Sequence, residues 1–103
     1  MKFGLSKQTH DKIYSVLIKY PQIEKVVLYG SRARDDYRNG SDIDFTLYGG
    51  AELTHTVVSQ IAIDLDDQML PYTIDLSIFD HIRNPDMINE IERDGKVFYN
   101  KLV

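Results

Sequence analysis

Three aspartates in this chain stand at spacings that can gather a divalent cation. Asp42 and Asp44 are separated by one residue, and residues two apart on a strand project from the same face. Asp75 follows Asp44 by 31 positions, about the ~30 residues that a strand–helix–strand crossover needs. If the two strands are parallel neighbours with their apolar faces on the core, all three carboxylates share the opposite face. Carboxylates crowded onto one spot repel one another, and cations relieve that cost. Hard oxygen donors of this kind suit magnesium or manganese, and an acid pair with a third acid beside it makes a site for two ions. On its own, an Asp-x-Asp strand is more often a solvated polar face, so the reading depends on what precedes it.

Upstream, Gly30-Ser31 closes an apolar, β-branched stretch, and Arg32-Ala33-Arg34 follows. Glycine lets the backbone approach a phosphate closely, and serine adds a hydroxyl donor. A helical turn beginning at Ser31 would aim its free amide groups at an anion. Arg32, Arg34 and Arg38 form a local positive cluster in an acidic chain, although arginines in such a run are usually solvated. The sequence has neither a Walker phosphate loop nor a dinucleotide-binding glycine fingerprint, which excludes those two nucleotide folds.

The elements that must position these residues alternate between helix and strand. From Ser6, an N-cap, Ile13, Val16, Leu17 and Tyr20 recur at helical spacing until Pro21. Glu24 to Tyr29 reads as a strand ending in a turn at Gly30, and Asp35 to Ser41, with Asn39-Gly40, reads as a loop. Ile43, Phe45 and Leu47 alternate with Asp42, Asp44 and Thr46, the pattern of a half-buried strand. Leu53, Val57, Ile61 and Leu65 step along one face of a long helix closed by Pro71. Ile74, Leu76 and Ile78 then alternate with Thr73, Asp75 and Ser77. Pro85 opens a last helix carrying Met87, Ile88 and Ile91 and capped by Gly95. Val97 to Tyr99 adds a short edge strand, whose apolar character invites pairing with another chain. The expected fold is α/β (α+β), a small mixed sheet with helices packed on it.

A length of 103 residues with 43% apolar content fits one domain over residues 1–103 with a single core. The formal charge of −4 argues against direct nucleic-acid binding by this chain alone, because phosphate contacts need a basic surface. There is no cysteine, so a reducing cytoplasm is expected, and neither a leader-like run at Met1 to Ser6 nor a membrane-spanning stretch is visible. His10, His55 and His81 fall on different elements and are read as non-ligands. Asp64, Asp66-Asp67 and Glu90 with Glu92 read as solvated helix positions. Tyr29 or Tyr48 could stack on a base, and the sequence does not choose between them.

Taken together, Gly30-Ser31-Arg32-Ala33-Arg34 followed by Ser41-Asp42-Ile43-Asp44 resembles the signature of the DNA polymerase β-type nucleotidyltransferase superfamily. The wording is similar to the minimal nucleotidyltransferase (MNT) branch, and the resemblance spans roughly residues 24–79, with Asp75 matching the family's third acid. It implies a polymerase β palm-like fold and the transfer of a nucleotidyl group, AMP from ATP, to a hydroxyl of a partner. By the same resemblance, Gly30 and Ser31 bind the β- and γ-phosphates, with Arg34 neutralising charge on the triphosphate. Asp42 and Asp44 bridge two magnesium ions; Asp75 holds one of them and helps deprotonate the attacking hydroxyl. MNT proteins resemble the smaller half of pairs whose other half is an all-helical HEPN toxin, so an antitoxin role with a HEPN partner is expected. One position departs from the family: Asp35 stands where glycine is usual after Ala-Arg. A catalytically weak or inactive nucleotide-binding subunit, neutralising its partner by stoichiometric contact, is the alternative that this departure leaves open.

Overall fold

Each element begins or ends where side-chain chemistry closes it. In the computed structural model, which describes residues 3–38 and 40–101, Ser6 Oγ accepts the Thr9 amide at 3.1 Å and starts α1, Lys7–Leu17. Asn39 of the expected Asn39-Gly40 turn lies outside the described residues. Helix α1 stops before Tyr20, because the Lys19 and Tyr20 amides turn back to the Val16 and Leu17 carbonyls and tighten the last turn. Strand β1, Lys25–Tyr29, leads into a four-residue helical turn α2, Ser31–Arg34. Strand β2, Ile43–Tyr48, and helix α3, His55–Asp66, follow. Thr54 caps α3 by accepting the Val57 amide, which starts the helix two residues after Leu53. Strand β3, Ile74–Ile78, a 3-10 turn Phe79–His81, helix α4, Pro85–Asp94, and strand β4, Lys96–Asn100, complete the order. Among the described residues no helix is long and apolar enough to cross a membrane.

The four strands form one mixed sheet in the order β3-β2-β1-β4. Strand β1 runs antiparallel to β2 and β4, while β2 and β3 are parallel and joined by α3. The crossover expected from the spacing of Asp44 and Asp75 is therefore present. One side of the sheet, with Val26, Leu28, Ile43, Phe45 and Leu47, packs with Ile13 and Leu17 of α1 and Ile61 of α3. On the other side, Ile91 of α4 joins Val27 and Tyr29, flanked by Tyr48 and Phe79. This second cluster explains why Thr46, on the polar side of β2's alternation, is fully buried.

Asp64, read as surface, and Gly95, read as a helix cap, have tertiary roles. Asp64 accepts a hydrogen bond from the Tyr20 hydroxyl, tying the end of α1 to α3; burial and that carboxylate push the tyrosine's pKa up to about 12. Gly95 ends α4, but in extended rather than left-handed conformation. It is needed because a Cβ there would run into the Ile91 carbonyl and Val27.

Arg32 is the larger surprise. It is 2% exposed, not a member of a solvated arginine cluster. Its guanidinium donates to the Ser41 carbonyl from Nε at 3.1 Å and Nη2 at 2.9 Å, and to the Phe3 carbonyl at 2.9 Å. The rings of Tyr37 and Tyr72 lie against it at 4.9 and 4.7 Å. One side chain thus ties α2 to the N-terminal segment, to the approach to β2 and to the approach to β3. Replacing it strands two carbonyls and removes two cation–π contacts, so Arg32→Ala is expected to cost roughly 2–4 kcal/mol. Arg32→Lys should recover only part, because an ammonium lacks the planar fork. Urea unfolding of the three proteins measures this; equal midpoints would contradict the clamp.

Candidate functional site

The site is built from the end of β1 and the starts of β2 and β3. Tyr29, the last residue of β1, is opposite Asp44 in the antiparallel ladder, and Asp44 is opposite Asp75 in the parallel one. Gly30 then turns the chain away with φ 77° and ψ −157°, a region that only glycine enters readily. A Cβ on Gly30 would stand 2.5 Å from Asp44 Oδ2. The carboxylate therefore sits against the bare glycine, beside the helical turn that begins at Ser31. Within that turn the Ala33 and Arg34 amides bond to the Gly30 carbonyl, which leaves those of Ser31 and Arg32 outside the helical ladder.

The electrostatics follow from this crowding. Asp44 is half-buried, and desolvation raises its carboxyl above the ordinary range, helped by the charges of Asp75 and Asp42 and, more weakly, Glu90. Tyr29 is raised first by burial and then by Asp44, Asp75 and Glu90, while a hydrogen bond involving Ser77 acts the other way. Asp75 and Asp42 are exposed. Asp42 precedes the first paired residue, Ile43, and so stands at the margin of the ladder. Among the described residues no group of three or more His, Cys, Asp or Glu side chains is gathered closely enough to hold a metal. The fold brings Asp44 and Asp75 together as a pair, with Asp42 flanking them. A pair fits the chemistry of magnesium, which commonly takes one or two carboxylates and draws its remaining ligands from water and substrate phosphates.

Around this pair, the structure corrects several placements and adds three residues. Arg34 is engaged at both ends, with Nε 3.2 Å from Asp36 and Nη1 3.4 Å from Glu90. Glu90, expected to be solvated, is half-buried and faces the acids from α4. Tyr29 and Ser77 join it at the base of the site. The signal for Glu90 was present in α4: Met87 and Ile91 mark the helix face that meets the sheet, and Glu90 lies beside it. Asp35 takes φ 66° and ψ 24° at the end of α2, the left-handed conformation that aspartate tolerates better than most residues. This accounts for a glycine at that position in the family signature, and Asp35 itself is exposed. Ser41 orders the loop before β2, its hydroxyl accepting the Arg38 amide at 2.8 Å. Tyr48 stacks on Phe79 at 4.6 Å and lies under the Lys25 ammonium at 4.3 Å; Tyr29 is buried under α4. His55 and His81, although on different elements, come within 5.0 Å of each other between ring centroids; His10 packs separately on Phe98.

A profile of the family described as Polymerase beta, Nucleotidyltransferase matches residues 11–102. The chain belongs to this family. The matched residues take in the Gly30 turn and all three aspartates. Solved structures similar in fold include a toxin–antitoxin with AMP-PNP, at TM-score 0.71 and 19% identity over 89% of this chain and 73% of that one. Another is the toxin–antitoxin MntA-HepT, at TM-score 0.67 and 17% identity over 94% and 74%. A third is a tri-AMPylated HEPN toxin of Shewanella oneidensis in complex with MNT antitoxin, at TM-score 0.68 and 17% identity over 95% and 75%. No curated protein matches the chain in sequence. The nucleotidyltransferase fold expected from the residues is the fold observed.

Two measurements probe the geometry. Gly30→Ala forces a Cβ into a conformation reserved for glycine and against Asp44, so it should lower stability in urea unfolding by roughly 1–3 kcal/mol. Ionised Asp44 is less favourable folded than unfolded. Its contribution is fully present below the unfolded pKa, about 3.9, and is lost as pH rises through the higher folded value. Asp44→Asn should therefore raise the Tm at pH 7 in chelator-treated buffer, with the gain shrinking towards pH ~3.5; an unchanged or lower Tm at pH 7 would count against a repulsive pair.

Proposed function

We propose that this protein is a magnesium-dependent nucleotidyltransferase that moves AMP from ATP to a hydroxyl of a partner protein, as the antitoxin of a HEPN–MNT pair. The observation that carries the reading is Asp44 facing Asp75 across a parallel ladder with the bare Gly30 turn beside them. The AMP-PNP and the AMPylated HEPN toxin of the similar structures support ATP as donor and a HEPN protein as acceptor. The outward-turned Asp35 removes the strongest reason to expect a crippled phosphate site.

Asp44 and Asp75, with Asp42 flanking, would hold magnesium, which when bound neutralises triphosphate charge and favours an ionised attacking hydroxyl. The chain's own groups do the rest. Amides and hydroxyl at Gly30-Ser31 receive the β- and γ-phosphate oxygens. The acceptor oxygen attacks the α-phosphorus and forms the new ester bond. The bond from that phosphorus to the bridging oxygen breaks, and pyrophosphate leaves with the electron pair. The hydroxyl proton passes to Asp75, the acid on the outermost strand. Arg34 meets charge on the departing pyrophosphate by exchanging Glu90 for phosphate.

The test combines the protein with an all-helical HEPN-type protein as acceptor, ATP labelled at the α-phosphate, and magnesium. Label should appear on the partner and fall at least about a hundredfold with Asp44→Asn or Asp75→Asn. Wild-type protein that binds AMP-PNP yet transfers no label would refute the enzymatic reading.

A further inference from the structure

The two edges of the sheet are unlike, and the difference points to where the acceptor docks. Among the described residues no strand pairs beyond β3. The Ile43 amide bonds to the Thr73 carbonyl at 2.9 Å. In a parallel ladder, alternate residues of a strand turn both backbone groups to the same neighbour. Thr73, Asp75 and Ser77 thus bond inward to β2, while Ile74 and Leu76 present N–H and C=O groups to the outside. The edge is flanked on its α3 side by a groove lined by Ile63, Asp66, Leu70, Tyr72 and Ile74. Ile63 is 54% exposed there. On the other side of the same strand stands Asp75, beside Asp44.

We propose that an extended segment of the acceptor protein adds to β3 as a fifth strand, and that this pairing delivers its hydroxyl to the acids. The proposal rests on the nucleotidyltransferase reading above and names how its acceptor is held. Strand side chains alternate between faces, so a segment paired with Ile74 and Leu76 would place one residue over the acids and its two neighbours in the groove. The hydroxyl residue is thereby flanked by apolar residues, and basic residues two positions away face Asp42, Asp44 and Asp75. Charge argues against a second copy as the occupant, since β3 against β3 would set acidic faces side by side. At the opposite edge, β4 has a bulge, since Val26 pairs with Tyr99 and Val27 with Val97. Lys96 opens that strand and Lys101 follows it, and bulges and lysines both discourage strand addition.

The experiment uses two blocked pentapeptides of the same composition, Lys-Val-Tyr-Val-Lys and Val-Lys-Tyr-Lys-Val, added to the labelled protein without nucleotide. The first should slow amide exchange at Ile74 and Leu76 and bind at least about tenfold tighter than the second, which turns lysines into the groove. Two variants weaken it by a similar factor. Leu76→Pro removes an outward amide without breaking a bond to β2, and Ile63→Glu charges the groove at an exposed position that leaves folding intact. Equal binding of the two peptides, no binding of either, or unchanged binding by Ile63→Glu would overturn the docking proposal. Labelling of the helical partner separates the two readings. Full transfer by both variants refutes strand addition while leaving the enzyme intact, whereas peptide binding without any transfer by the wild type supports the docking and refutes the enzyme.

Discussion

The structure depends on holding two carboxylates side by side that would separate if they were free. Asp44 and Asp75 are partners in a parallel ladder, and burial, together with the like charge beside it, disfavours ionisation of Asp44. What fixes them is the opposite face of the same strand. Ile43, Phe45 and Leu47 are fully buried, so a slip of one residue would turn that apolar set to solvent and the acids into the core. The register is thus set by hydrophobic burial, and the acids inherit their positions from it. Repulsion between them is a local cost borne by a core that has no reason to yield. A divalent cation would relieve that cost, which makes the energetics of the fold and the chemistry of the site two consequences of one arrangement.

The turn that faces the acids is stabilised from elsewhere. A four-residue helix closes too few hydrogen bonds to persist alone, and its first residue follows a glycine in a conformation open to little else. Arg32 supplies the missing restraint by reaching carbonyls at Phe3 and Ser41 and two tyrosine rings. Three approaches to the site are therefore coupled through one guanidinium. Within the run of arginines, burial divides the labour. Arg32 holds the backbone, and Arg34, between Asp36 and Glu90, keeps its charge near the rim where an anionic ligand can compete for it.

The legible features of the sequence were those carried by local period. Alternation in β2 and β3 located both acids and their face, and the length between them implied the parallel crossover. The Ser6 cap located the start of α1, and the apolar steps from Leu53 located that of α3 to within two positions. Features that depend on distant residues were not legible. The burial of Arg32 depends on Phe3, Ser41, Tyr37 and Tyr72 together, none of which is marked as its partner by spacing. Asp64 looked solvated because its partner, Tyr20, lies 44 positions away. Glu90 was misread because α4 was not expected on the acid side of the sheet, and once it packs there the charge next to Met87 and Ile91 must face the site. Asp35 shows the reverse case. A departure from the family signature looked chemical, yet the backbone angle shows a conformational requirement that aspartate meets while pointing its charge outward.

The remaining asymmetry lies between the sheet's two edges, where the same physics yields opposite results. Strand β4 reads as the more apolar edge, and Val97 is 54% exposed. The bulge changes its role, because the unpaired Phe98 turns into the core against Phe45 and the strand loses the even spacing that a new partner would need. Strand β3 has no bulge in its pairing with β2 and bears its charge on the acid side alone. Its regular outer backbone can pair, but the carboxylates bias what can pair with it towards basic segments. An edge that is chemically selective rather than blocked lies next to the acid that would receive the acceptor's proton. Strand pairing at this edge would position an acceptor without any contact to the core.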